Sequence, residues 1–153
     1  MMSGLLRGAA AGAAGTTALN TVTYADMAWR GRPASDVPQS VVERLSEAAG
    51  RPVPNGDGRR GNRLAGLGAL SGIAVGTGVG AALGALRAAG VRMPVWAGGA
   101  LAGALAMAAT DAPVARLGVS DPRSWSAGDW ISDAVPHLVY GLVAYALLDA
   151  LDR

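Results

Sequence analysis

Long uncharged stretches separated by Arg-rich connections set the layout of this chain. No Asp, Glu, Lys or Arg falls between Arg7 and Asp26, between Arg63 and Arg87, or between Arg92 and Asp111. A fourth uncharged run, Ala134 to Leu148, is shorter and needs its flanks to cross a bilayer. Because a spanning helix takes about 20 apolar residues, the pattern predicts four transmembrane helices over about 4–29, 64–89, 95–112 and 129–151. The expected fold class is all-α: a polytopic membrane protein with one integral domain over 1–153, its helices forming a Gly-rich four-helix bundle.

The connections carry their own signals. Within the polar connection 30–63, Ser35, Asp36 and Pro38 form a helix start, Val41, Val42, Leu45, Ala48 and Ala49 keep helical spacing, and Gly50 closes the segment. A short amphipathic helix on the membrane surface or on the bundle is expected there. Arg51 to Arg63, rich in Pro, Gly, Asn and Asp, reads as a turn region. Asp111 and Pro113 are expected to end or kink the third helix. Ser126 and Asp129 stand at capping-box spacing ahead of Trp130 and Ile131, which places the start of the fourth.

Glycine adds a packing signal to this layout. Gly68, Gly72, Gly76, Gly80 and Gly84 recur every four residues within the second uncharged run. In water each interior Gly costs a helix about 1 kcal/mol relative to Ala. In lipid the peptide groups have no other partner than the helix itself, and small residues let two backbones approach closely. Four residues advance a helix by about 400°, so the row winds about 40° per step and suits a partner crossing at an angle. The first helix has a matching row at Gly4, Gly8 and Gly12, continued by Thr16 and Asn20, and is the expected partner. Packing within one bundle is the leading reading of these rows, ahead of homo-oligomer assembly or a Gly-lined pore.

Composition narrows the function classes. The chain has 153 residues, 51% hydrophobic, with 23 Gly, no Cys and a mean hydropathy of +0.30. Absence of Cys removes disulfides, thiol catalysis and zinc–cysteine sites. A cleaved signal peptide with Ala13 and Ala14 before Gly15 is an alternative for the N-terminus, but Arg7 interrupts the apolar run and the stretch continues to Trp29, which favours a retained helix. Gly56, Gly58 and Gly61 match a GxGxxG pattern, yet they lie in an Arg-rich turn with no strand before them, so no dinucleotide site is expected. Arg59, Arg60 and Arg63 suit topology or anionic lipid; nucleic-acid binding would need more aromatic and basic surface. The expected partners are the lipid bilayer and a second copy or another membrane protein.

Every basic residue is Arg, and their distribution predicts orientation. The first and third connections hold nine (Arg30, Arg32, Arg44, Arg51, Arg59, Arg60, Arg63, Arg116 and Arg123), against four elsewhere (Arg7, Arg87, Arg92 and Arg153). By the positive-inside rule the long first connection is cytoplasmic and both termini are outside, in the inner membrane. Arg7 and Arg87 are expected to snorkel to the interface.

Candidate chemistry follows from the same four-span arithmetic. The ends of the first and third helices and the start of the fourth lie at one face, so Asp26, Asp111 and Asp133 share a depth zone. His137, the only His, sits one turn deeper on a stripe with Asp129, Asp133, Gly141 and Tyr145, beside Tyr140. Pro136 removes a helical hydrogen bond and could free a carbonyl, and Asn20, with Thr16 and Thr23, extends the polar track along the first helix. Intramembrane ionisable groups point by default to proton or ion paths. Asp26, Asp111, Asp133, His137, Tyr140 and Asn20 are therefore the candidate polar pocket. A solvated or capping role for the three Asp, with His137 bonded to a backbone carbonyl, is the weightier alternative. A single His without a paired ligand gives no metal site, and no cofactor is implied.

A Gly-rich first helix ending near Tyr24-Ala-Asp26, a long basic connection, and a last helix reading Trp130-Ile-Ser-Asp-Ala-Val-Pro-His137-Leu-Val-Tyr140-Gly141 resemble the layout of small bacterial inner-membrane proteins of the YagU-like kind. The resemblance carries no functional residues and lowers the weight of an enzyme reading. The leading expectation is a non-enzymatic structural or accessory subunit. The alternative is a small proton-linked or ion-conducting transporter using the Asp/His cluster, and a membrane enzyme acting on lipid or quinone ranks third for want of a recognisable nucleophile.

Overall fold

The protein is described here by a computed structural model covering residues 2–153. Its five α-helices are α1 (Met2–Arg30), α2 (Val37–Ala48), α3 (Arg60–Ala88), α4 (Val95–Arg116) and α5 (Ala127–Leu151), and no strand occurs among the described residues. Two helix boundaries show how local sequence sets them. At the start of α5, Ser126 Oγ accepts from Asp129 N at 3.2 Å while Asp129 Oδ2 accepts from Ser126 N at 2.9 Å, so two end groups are satisfied reciprocally. α4, by contrast, does not end at Asp111 and Pro113, where an end or a kink was expected, and runs to Arg116. Pro113 forfeits one hydrogen bond to the preceding turn, but Leu117 N and Val119 N still donate to Pro113 O and Val114 O, and Gly118 closes the helix at φ +64°.

α3, α4 and α5 are each long and apolar enough to cross a membrane. α1 equals α3 in length at 29 residues, but Thr16, Thr17, Asn20, Thr21, Thr23 and Asp26 make it less apolar. Several of these hydroxyls are bonded within the helix: Thr16, Thr17 and Thr21 each donate to the carbonyl four residues back. Large apolar side chains point outward, among them Leu70, Trp96, Ile131 and Leu138, while the interior is built from Ala11, Leu83, Ala102, Ala106, Tyr140, Ala144 and Leu148. A water-soluble bundle buries its large aliphatics. An apolar exterior over a small-residue interior suits lipid.

α1 packs between α3 and α5, and α5 packs on α4. The α1–α3 contact is backbone on backbone: a Cβ on Gly8 would sit 2.9 Å from Gly84 Cα, and one on Gly80 2.5 Å from Gly12 Cα. Gly4 meets Gly84, and Gly76 lies against Thr16. The α3 row is not one continuous seam, however. Gly68 meets Pro38 and Gln39 of α2, and a Cβ on Gly72 would meet nothing within 4 Å. At that point α3 leaves α1, and α2 closes over part of the gap, clasped by Arg60 to Glu43 at 3.0 Å and Glu47 at 3.2 Å. α4 and α5 make a second close contact, with Gly99 and Gly103 against Gly141, and Gly98 under the Tyr145 ring.

Candidate functional site

Where α3 separates from α1, a cavity of about 910 Å³ opens at the end of the molecule opposite the two termini. This volume lies in the range of small-molecule sites, about 300–1,000 Å³. All five helices contribute. Leu19 and Met27 of α1, Val37 and Pro38 of α2, Gly72 and Ile73 of α3, and Ala106 and Val114 of α4 supply apolar wall; Asn20, Thr16, Thr23 and Gln39 add neutral polar groups. Trp125, held by a hydrogen bond from its Nε1 to Ser120 Oγ at 2.9 Å, packs on Trp130 at 5.0 Å between ring centroids and forms part of the rim. Tyr140 closes the deep end: buried between α1 and α3, it donates to Gly76 O at 2.6 Å.

Asp111, Asp133 and His137 come together on this wall. His137, 9% exposed, places Nδ1 2.8 Å from the Asp133 carbonyl and 3.4 Å from Asp133 Oδ1. A carbonyl only accepts, so Nδ1 carries the hydrogen and Nε2 is left as the ring's second nitrogen. Asp133 Oδ2 is buried with no hydrogen-bond partner. Asp111, on α4, lies against the Asp133 side chain and within electrostatic reach of His137, and its Oδ1 receives a long contact from Thr110 Oγ1 at 3.5 Å. Pro136 has no N–H to offer the carbonyl of Ser132, four residues back on the same wall.

Asp26 does not join them, which corrects the expected pocket. Arg30 and Arg32 hold its carboxylate at 2.8 Å and 2.6 Å, and Arg30 also donates to Ser132 Oγ at 2.8 Å. Depth alone brought Asp26 into the expected set. Its position on the helix turns it instead toward the basic start of its own connection. Asp129, at the rim, is committed to the Ser126 cap. The three cavity serines are likewise occupied, Ser132 by Arg30, Ser120 by Trp125, and Ser35 by the backbone N–H of Val37 at 3.3 Å. Among the described residues no three His, Asp or Glu side chains form a group able to hold a metal ion.

No protein-family model matches this chain, and no curated protein or solved structure is significantly similar to it. The geometry has to carry the functional reading.

A second polar cluster, at the end that bears both termini, was not anticipated from the sequence. Arg87 of α3, 6% exposed, does not snorkel outward. It reaches the C-terminal end of α5, where Nε donates to Asp152, just beyond the helix, at 2.8 Å, one terminal nitrogen to Asp149 at 3.0 Å and the other to the Tyr145 hydroxyl at 3.2 Å. Arg7 adds a second contact to Asp152 at 3.0 Å, and Arg153 one to Asp149 at 2.7 Å. Tyr145 also accepts from Met93 N at 3.1 Å, tying in the α3–α4 link. The signal was present: the arithmetic that gathers three Asp at one face gathers Arg7, Arg87, Asp149 and Asp152 at the other.

Proposed function

We propose that this is a four-span protein of the bacterial inner membrane that moves protons or small cations, with Asp111, Asp133 and His137 as its exchange site. The observation that carries this reading is a charge imbalance in the cavity: two neighbouring carboxyl groups face one imidazole, and Arg32, which lines the cavity, is spent with Arg30 on Asp26. Buried or half-buried acids without a fixed counter-charge are costly and are resolved by a mobile proton or cation.

Support for α1 as the fourth span comes from its packing. Gly4 meets Gly84 near one end of α3, Gly15 meets Tyr140, and Thr16 meets Gly76 further along. A helix lying between α3 and α5 over that length shares their depth, and its threonines already satisfy their hydroxyls internally. The Arg distribution then orients the cavity toward the cytoplasm and both termini outward.

The site is one-sided, which favours a transporter that changes conformation over an open pore. Below Tyr140 the interior is filled by Leu83, Ala102, Ala144, Tyr145 and Leu148, each at most 2% exposed, and beyond these lies the guanidinium of Arg87. The test is flux. In vesicles reconstituted with the protein, loaded with a pH-sensitive dye and stepped in pH in sodium, potassium and choline salts, proton movement is expected above that of empty vesicles. Asp133→Asn is expected to reduce it at least tenfold, and His137→Gln to lower it less. Wild-type vesicles as tight as empty ones would leave the chain as an accessory subunit, its outward glycines Gly66 and Gly78 open to a partner helix.

A further inference from the structure

The dimensions of the cavity say more about its occupant than its charge does. A proton or a bare metal ion needs a few oxygens and little room, yet this space is about 910 Å³ and no metal-holding group occurs among the described residues. Most of its wall is apolar: Leu19, Met27, Ile73 and Val114 face the same space as the acids, with Trp125 at the rim. We propose that the cavity binds an organic cation, a molecule with a hydrophobic body and one positive charge, whose charge is neutralised by Asp111 and Asp133. This rests on the exchange-site reading above and names the class of substrate.

Every titratable or charged group around the cavity can be placed. From α1 and its connection come Tyr24 and Arg32, the latter bound to Asp26; α2 and α3 contribute none to the wall; α4 gives Asp111; α5 gives Asp129, Asp133, His137 and Tyr140. With Asp129 held in its cap and Tyr140 donating to Gly76, the uncompensated negative groups are Asp111 and Asp133. A second, independent feature points the same way. His137 lies on this wall and bonds only through Nδ1, which leaves its other ring nitrogen without a partner among the described residues, and Asp133 Oδ2 beside it is buried with no hydrogen-bond partner. A hydrogen-bonding cation such as a protonated amine would find an acceptor there, while a quaternary cation would rely on the two carboxylates and on aromatic faces.

Apolar contact and charge make different, separable contributions to such a complex. Burial of a hydrophobic body in the wall gives affinity roughly in proportion to area. The carboxylates decide between a cation and a neutral body of the same shape. They also bind protons, so proton and organic cation compete for the same two groups. Entry of one organic cation therefore releases a proton or takes up a vacant negative charge, and charge balances either way.

The experiment uses the purified full chain in lipid nanodiscs, with empty nanodiscs as reference, and measures equilibrium binding of tetraphenylphosphonium. Saturable binding is expected, at least tenfold tighter than that of neutral triphenylphosphine oxide. It should weaken at least tenfold as the medium is acidified from about pH 7 to about pH 4, through the ordinary range of His and carboxylate groups. Asp111→Asn and Asp133→Asn should each weaken binding at least tenfold, while Asp57→Asn, on the exposed turn far along the first connection, should leave it unchanged. Binding that is absent, equal for the neutral compound, or indifferent to acid overturns the proposal on wild-type protein alone, whatever the Asn variants do to folding. Proton flux that depends on Asp133, with no tetraphenylphosphonium binding, overturns the ligand class and leaves the exchange site standing. Acid-sensitive binding without flux supports the ligand class while refuting transport.

Discussion

At the end of the molecule bearing the termini, Arg87 of α3 meets Asp149, Asp152 and the Tyr145 hydroxyl of α5, and Arg7 of α1 completes the set. At the opposite end, Asp111 of α4 and Asp133 of α5 face each other with only His137 beside them, across a cavity that α3 has vacated. The same helices build both. In one place every buried charge has a partner supplied by the fold, and the backbones above it touch through Gly4, Gly8, Gly80 and Gly84. In the other the fold withholds a partner and leaves room for one. Matched charge is structural; unmatched charge beside space is what a ligand would complete.

The largest effect expected from breaking this contrast is at the glycine contact. Gly80→Leu places side-chain atoms against the backbone of α1, 2.5 Å from Gly12 Cα at the first carbon, and no rotamer change relieves a backbone clash. Overpacking costs about 1–3 kcal/mol where side chains can yield and more where they cannot, so loss of monodisperse protein on size exclusion is expected. Arg87→Met ranks second. It removes the buried guanidinium that ties the Tyr145 hydroxyl, Asp149 and Asp152 to α3, leaving Arg153 and Arg7 as the remaining partners of the two carboxylates, so the melting temperature is expected to fall. Thermal unfolding in detergent measures it; an unshifted transition would mean that Arg87 is not structural.

A smaller, pH-dependent effect follows from Asp152, which lies just beyond the last turn of α5. Its bond from Arg87, and after that the one from Arg7, hold the carboxyl below its ordinary range. A depressed carboxyl stabilises the fold at pH values above the unfolded-state value, about 3.9 for Asp, and the gain is lost as pH falls through the folded-state value. The melting temperature should therefore drop on acidification below about pH 4. In Asp152→Asn that acid limb should flatten, from a lower plateau at neutral pH. Equal acid limbs in both proteins would assign the drop to other groups.

How much of this was legible in the sequence differs between the two ends. Helix positions followed from the uncharged runs, and the α5 start from Ser126 and Asp129, because a capping box is a local property. Of the two outcomes expected at Asp111 and Pro113, an end or a kink, the helix does not end there, since a proline inside a helix is tolerated when later residues keep the turn bonded. The glycine row was visible, but its division was not: Gly76, Gly80 and Gly84 face α1, Gly68 faces α2, and Gly72 faces open space. A four-residue repeat reports a stripe and says nothing of where a partner departs. Asp111, Asp133 and His137 could be gathered by depth, while Asp26 could not be separated from them, because depth carries no information about rotation. Arg87 was assigned to the interface from its place at the end of an apolar run, and its carboxylate partners lie 62 and 65 residues away in sequence.

Proton movement into dye-loaded vesicles, compared between Asp133→Asn and Asp149→Asn, tests the central claim most directly. Each variant removes one carboxylate from α5, one at the cavity and one at the matched end. The account predicts that flux falls at least tenfold in Asp133→Asn and persists in Asp149→Asn for the fraction of protein that remains folded. Flux that survives the loss of Asp133, or fails equally in both, would contradict it.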